Sequence, residues 1–397
     1  MAQVMHAGPS LSVRERDRRY AALRAALRER GVDCAVAVGS NLFYLTNGIS
    51  GEKVGLLPTD DLPVTVLVNA RHLVDVPASV IVESQEWIAD VHGSNDLGPI
   101  IERVQQLSCD RGSIGLADKT LPLGSYQQLQ KGLPEAKLVD VSDIFNNVRT
   151  IKSDEEVALI EQANRVFDAA IAHMHERVRP GMTGAEAVRE AIQGMWAAGG
   201  DLDSTLSFNF GPVAKQNPVL ADLCLSQTIK WGDVGTLTAH AEYRHYAGHS
   251  DQEISFGEPS ALHRDMFQAV LKVREAVLKA VKPGATQRDL IEAYRAATAE
   301  TGFRSSPHSQ IHQYGIDVPE FAGPAFRVAD PAGGGPGKGG LGSAGNFTLA
   351  PGMIYSISPT LVAPNGEDTL LGGTCLVVTE EGYRELGERK VELLVVA

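Results

Sequence analysis

No stretch of this chain stays apolar for the roughly 18 residues that a membrane-spanning helix needs, so no span is expected. The first ten residues also lack the apolar core of a secretory leader. Cysteine is scarce: Cys34, Cys109, Cys224 and Cys375 are scattered, with no pair at metal-ligand spacing. That argues against a zinc module or a disulfide scaffold and points to reduced thiols in a cytoplasmic protein. Positive charge is short as well. Thirty-six Lys and Arg face 49 Asp and Glu, a net charge of −13, which disfavours nucleic acid because phosphate binding needs a basic surface. What remains is an ordinary globular composition, 397 residues long and 43% hydrophobic, enough for two domains with a core each.

Up to about residue 150, short apolar runs alternate with helical segments. Residues 12–31 carry Tyr20, Leu23, Ala26 and Leu27 at helical spacing and end at Gly31. Residues 34–38, 64–68, 80–82 and 113–116 are strand candidates. Together they predict a small α/β domain over 1–150. A helix then starts at Ser153, which forms a capping box with Glu156, and buries Ile160, Ala163, Phe167, Ala170 and Met174. It stops before Pro180-Gly-Met-Thr183, after which a second helix runs to Gly199-Gly200. The same arrangement returns 103 residues later. A helix from about Leu262 to Ala280 stops before Pro283-Gly-Ala-Thr286, and another runs to Gly302. Two copies in matching surroundings predict an internally duplicated domain over 151–397. Residues 331–345 are glycine-rich, but Lys338 is followed by Gly339, so the segment is no phosphate loop. It reads as a flexible surface loop, or as a lid over a site.

The densest polar stretch is His240-Ala-Glu-Tyr-Arg-His-Tyr-Ala-Gly-His-Ser-Asp251-Gln-Glu253. It resembles the first metal-ligand strand pair of the pita-bread family, which includes methionine aminopeptidase, prolidase, aminopeptidase P and creatinase. Other segments agree. Val148-Arg-Thr-Ile-Lys-Ser-Asp-Glu-Glu156 is similar to the opening of that family's catalytic domain, and Asn41-Leu-Phe-Tyr-Leu-Thr46 to a motif of the prolidase and creatinase N-terminal domain. Gly315-Ile-Asp-Val-Pro-Glu320 and Leu349-Ala-Pro-Gly-Met-Ile-Tyr-Ser-Ile-Ser358-Pro359 resemble its later ligand strands. The resemblance implies an α/β (α+β) pita-bread catalytic domain behind a creatinase/prolidase-type N-terminal domain. It also implies a homodimer whose N-terminal domain, through residues 48–55, closes the partner's pocket.

The family's five metal ligands are incompletely kept. Asp251 and His312 stand where ligands stand, but His240, Ser358 and Gly373 occupy the positions of three carboxylates. Serine and glycine cannot offset the charge of two metal ions or bridge them. A dinuclear aminopeptidase is therefore not expected. One alternative is a single Zn, Fe or Mn ion held by His240, Asp251 and His312. The reading preferred here has no cofactor. It resembles the creatinase and ectoine hydrolase branch, which splits C–N bonds of small nitrogen-rich molecules with side chains alone.

In that reading Glu253 is base or nucleophile, His240 or His249 is the proton donor, and Asp251 orients the imidazole. Gln216, Asn217, His308, His312, Tyr314, Ser358, Glu52 and Lys53 line the substrate site. Gln216 replaces the creatinase catalytic histidine, so creatine itself is not expected. The plainer role for Glu253 is an ion pair with Arg244. His72, His92, His173 and His175 are expected at the surface, and His245 and Tyr246 on an ordinary strand face. A lyase on the same scaffold and a non-catalytic binding protein are the remaining alternatives.

Overall fold

The computed structural model describes residues 8–49, 51–74, 77–202, 204–211, 224–306, 310–317, 326–327 and 348–397. These fall into two units, Leu11–Arg149 and Thr150–Ala397, the second with residues 8–10. The glycine-rich segment 331–345 lies outside the described residues.

In the first unit, helix α1 (Val13–Glu29) begins at Ser12, whose side chain accepts the Glu15 amide, and the chain turns at Gly31 with φ of +67°. Six strands follow: β1 (Cys34–Ala37), β2 (Glu52–Pro58), β3 (Thr65–Val68), β4 (Asp90–Gly93), β5 (Ser113–Leu116) and β6 (Lys137–Asp140). They form one mixed sheet in the order β4-β3-β2-β1-β5-β6. Helices α2 (Gly39–Thr46), α3 (Ala78–Glu83), α4 (Gly98–Gln106), α5 (Leu123–Gly132) and α6 (Ser142–Thr150) connect and flank it. Residues 80–82 are not a strand; they lie in α3. The β3–β4 pair is parallel, and a parallel pair needs a crossover between its strands. This segment belongs to that crossover, so strand propensity yields to topology.

The second unit carries the duplication. Helix α7 (Asp154–Arg177) opens on the Ser153–Glu156 capping box and buries Ile160, Ala163, Phe167, Ala170 and Met174. The larger of these side chains, Ile160, Phe167 and Met174, each contribute about 1.5–3 kcal/mol. Helix α8 (Gly184–Ala197) is capped by Thr183 with Glu186. The second copy repeats the pair as α9 (Ala261–Ala280) and α10 (Gln287–Ala299), the latter capped by Thr286 with Asp289. The repeat extends past the caps: Thr183 bridges antiparallel to Thr228, and Thr286 to Thr348.

Each helix pair is followed by strands. After α8 come β7 (Thr205–Phe210), β8 (Val234–Tyr243) and β9 (Tyr246–Phe256). After α10 come β10 (Arg304–Ser305), β11 (Gln310–Gln313), β12 (Phe326–Arg327), β13 (Ile354–Ser358), β14 (Thr360–Val362), β15 (Thr369–Leu371), β16 (Thr374–Thr379), β17 (Gly382–Glu385) and β18 (Leu393–Val396). One sheet runs β18-β9-β8-β7, a second β12-β11-β13-β16-β17, and a small third β10-β14-β15. Every residue of β9 is buried. Its Gly248 faces α7, where a Cβ would lie 2.5 Å from the Asn164 side chain. By strand alternation, His249, Asp251 and Glu253 face the other way. Among the described residues no helix is long and apolar enough to cross a membrane.

Candidate active site

The antiparallel register of β8 and β9 sets His240 opposite His249, Thr238 opposite Asp251, and Thr236 opposite Glu253. The second sheet supplies the facing residues. β11 and β13 bring His312 opposite Ser356, and β13 and β16 bring Ser356 opposite Cys375.

Asp251 is the hub. Its Oδ1 accepts the Thr238 hydroxyl at 2.7 Å, its Oδ2 accepts the Ser358 hydroxyl at 2.9 Å, and His249 Nε2 stands 3.2 Å from Oδ2. Burial pushes the carboxyl upward, but His249 and the Thr238 and Ser358 hydroxyls together hold it down at about 2. Asp251 is thus an anion at neutral pH. Ser356 lies 3.2 Å from Ser358, extending the hydroxyl chain behind it.

Around this anion three imidazoles and a phenol pack ring to ring. His240 and His249 have centroids 4.8 Å apart, His249 and His312 5.8 Å. Tyr314 stacks on His249 at 5.2 Å and 10° and lies 4.7 Å from His312. Its hydroxyl is 3.1 Å from His312 Nε2. Burial, reinforced by the neighbouring histidines, pushes His240 and His312 down to about 3, so both rings are neutral at neutral pH. Burial, with Asp251 and Cys375 close by, pushes the Tyr314 hydroxyl well up, so it keeps its proton. His240 Nδ1 meets the Thr205 hydroxyl at 3.2 Å. Two buried ring nitrogens, His249 Nδ1 and His312 Nδ1, have no hydrogen-bond partner among the described residues.

Glu253 follows on the same strand face but is held differently. Its Oε1 accepts the Thr236 hydroxyl at 2.7 Å and the Leu371 amide at 2.9 Å, and the residue is 1% exposed. Arg244 does not pair with it. That residue sits in the β8–β9 turn with φ of 51°, at the far end of the hairpin from the Thr236–Glu253 rung.

The remaining expected site residues divide. Gln216, Asn217 and His308 lie outside the described residues, as does Phe321, suggested as a pocket wall. Glu52 and Lys53 belong to the first unit: Glu52 accepts the Thr46 hydroxyl and the Ile49 amide, and Lys53 is exposed. His92 and His175 are exposed and His173 is half-buried against Glu190, 3.5 Å away. Tyr246 is buried with its hydroxyl on Glu156. His245 lies in the hairpin turn, where Asp201 accepts its amide at 2.6 Å. Sequence reasoning passed over Thr205, Thr238, Ser356 and Cys375. Thr238 becomes visible once the hairpin register is drawn, and Ser356 from its spacing of two from Ser358.

The space at position 373 is not open to a ligand side chain. At 373, where a final carboxylate ligand would stand, a Cβ would lie 2.0 Å from Asp251 Oδ2 and 2.6 Å from Ser358 Oγ. The hydrogen-bonded Asp251–Ser358 pair fills that space. Nor do His240, Asp251 and His312 each bring a ligand atom within 4.8 Å of the others. Among the described residues only Asp201, Glu242 and His245 do so, at the hairpin turn, where His245 is exposed.

Residues 158–383 match the model of metallopeptidase family M24, and residues 19–151 that of the creatinase/prolidase N-terminal domain. The uncharacterized peptidase YqhT of Bacillus subtilis is 24% identical over 94% of this chain and 98% of its own length. A creatinase from a Bacillus species is 24% identical over 95% of this chain and 92% of its own. A solved Xaa-Pro dipeptidase from Bacillus anthracis has the same fold, with a TM-score of 0.79 and 21% identity over 96% of this chain and 99% of that one.

Proposed function

Because the chain belongs to metallopeptidase family M24, a family of hydrolases, we propose that it hydrolyses a C–N bond in a small nitrogen-containing molecule with side chains in place of the paired metal ions. One observation carries this reading. The third carboxylate position is a glycine whose missing side chain is required by the Asp251–Ser358 hydrogen bond, so the metal-binding arrangement has been replaced by a packed polar one.

The proton work falls to His249. A carboxylate only accepts, so the ring nitrogen facing Asp251 carries hydrogen, and in the neutral ring Nδ1 holds the lone pair. Asp251 stabilises the imidazolium that forms, and Ser358 and Thr238 hold the carboxylate in place. Water adds to the substrate carbon while its proton passes to His249 Nδ1. That proton then goes to the nitrogen, which leaves with the electron pair of the broken C–N bond. His240 and His312, neutral across the working range, act as hydrogen-bonding walls rather than acids.

The test is metal content set against turnover. Protein purified without chelator or added metal should carry less than about a tenth of an equivalent of Zn, Fe or Mn, and release of amine from its substrate should survive dialysis against chelator. Close to one bound equivalent, with turnover lost on its removal and restored on its return, would replace this reading with a mononuclear metal hydrolase.

A further inference from the structure

The two unpartnered ring nitrogens of the site have opposite senses. For His249 the sense is set by Asp251, which can only accept: in the neutral ring Nε2 bears the hydrogen and Nδ1 the lone pair. For His312 it is set by Tyr314. That phenol is fully buried, and among the described residues His312 Nε2 is the acceptor its hydroxyl meets, at 3.1 Å. Buried O–H groups are hydrogen-bonded, so Tyr314 donates and Nε2 accepts. His312 then carries its hydrogen on Nδ1. That atom is itself buried, on a residue 7% exposed, and lacks a partner.

We propose that Tyr314 is a positioning residue that locks His312 as an Nδ1–H donor, so that two neighbouring rings of the site offer a substrate one N–H donor and one basic nitrogen. The inference rests on the hydrolase reading and narrows its substrate. A neutral amide, lactam or ureide offers a carbonyl oxygen to His312 Nδ1–H, and the water or N–H beside the carbonyl carbon can donate to His249 Nδ1. A guanidinium or amidinium offers donors alone and leaves the His312 hydrogen unmet. As the water oxygen adds to the carbonyl carbon, charge builds on the carbonyl oxygen, and the His312 N–H is placed to stabilise it. The proton lost by that water goes to His249, as above.

The measurement is nuclear magnetic resonance of the full-length protein with 15N-labelled histidine, the signals assigned with His249→Asn and His312→Asn. Long-range couplings distinguish the protonated from the bare ring nitrogen. His312 should be the Nδ1–H form and His249 the Nε2–H form. Tyr314→Phe, which keeps the ring and removes the hydroxyl, should shift His312 towards a mixture of forms and leave His249 unchanged. It should also lower kcat with little change in KM. A purely structural Tyr314 would not move the His312 signal. An Nε2–H form of His312 in the unaltered protein, or an unmoved His312 in the variant, overturns the proposal. Because this readout needs no turnover, the tautomers can be right while the hydrolase reading fails, and the reverse.

Discussion

Glu253 and Asp251 sit two residues apart on one strand face and are both buried, yet their surroundings give them different partners. Asp251 touches a titratable partner, His249, at 3.2 Å. Glu253 places Oε1 between the Thr236 hydroxyl and the Leu371 amide, which tie β9 to β8 and to the end of β15. A glutamine there keeps an oxygen in the same place. Glu253→Gln is therefore expected to fold and to retain turnover within about threefold, because it keeps the oxygen to which Thr236 and Leu371 donate. Steady-state kinetics beside a thermal melt checks this. Loss of turnover by about a hundredfold in a folded variant would return the base's role to Glu253, the part its sequence position first suggested. His240 illustrates the same point. Imidazole ordinarily titrates near neutrality, but burial takes this ring down to about 3, and it cannot hand over a proton at neutral pH.

At the level of elements, the two Pro-Gly-x-Thr junctions are the clearest product of local sequence. Each threonine side chain accepts the amide three residues on, and the acidic residue at that position reaches back to the threonine amide: Glu186 at 2.7 Å, Asp289 at 2.6 Å. Gly181 and Gly284 take φ of +98° and +84°, which a side chain would resist. Thr183→Ala and Thr286→Ala should each lower stability by about 1 kcal/mol, nearly equally, read from urea unfolding midpoints. A strong inequality would show that the two copies no longer bear equal loads. The β8–β9 hairpin is the element that matters for chemistry. Its register, not the identity of any one residue, brings Thr238 to Asp251 and His240 to His249.

For the whole molecule, burial of the polar cluster predicts how stability responds to acid. His312 ordinarily titrates near 6.5 and is held at about 3 when folded, so between these values the unfolded chain binds a proton that the folded one refuses. Stability should fall as pH drops below about 6.5, by up to about 1.4 kcal/mol per pH unit for this residue. Asp251, lowered from 3.8 to about 2, adds a further loss below about 3.8 in the same direction. His312→Gln should remove the His312 part of the slope, measured by urea unfolding between pH 7 and 5. An unchanged slope would mean that the ring takes up its proton in the folded protein.

Helix starts and the duplicated junctions were legible in the chain because they depend on neighbours a few residues apart. Residues 80–82 were misread because strand propensity says nothing about the crossover that a parallel β3–β4 pair requires. Which side chains of the site meet one another was also hidden. Which nitrogen of His249 meets Asp251, and that Tyr314 faces His312, are settled by strands far apart in sequence meeting across two sheets. So is the reason for Gly373: a Cβ there would meet an aspartate more than a hundred residues earlier in the chain. Local sequence determined which elements form. Only tertiary packing, through desolvation and the pairing of donors with acceptors, decided which of the gathered groups stay neutral, which stay charged and which are left to meet a ligand.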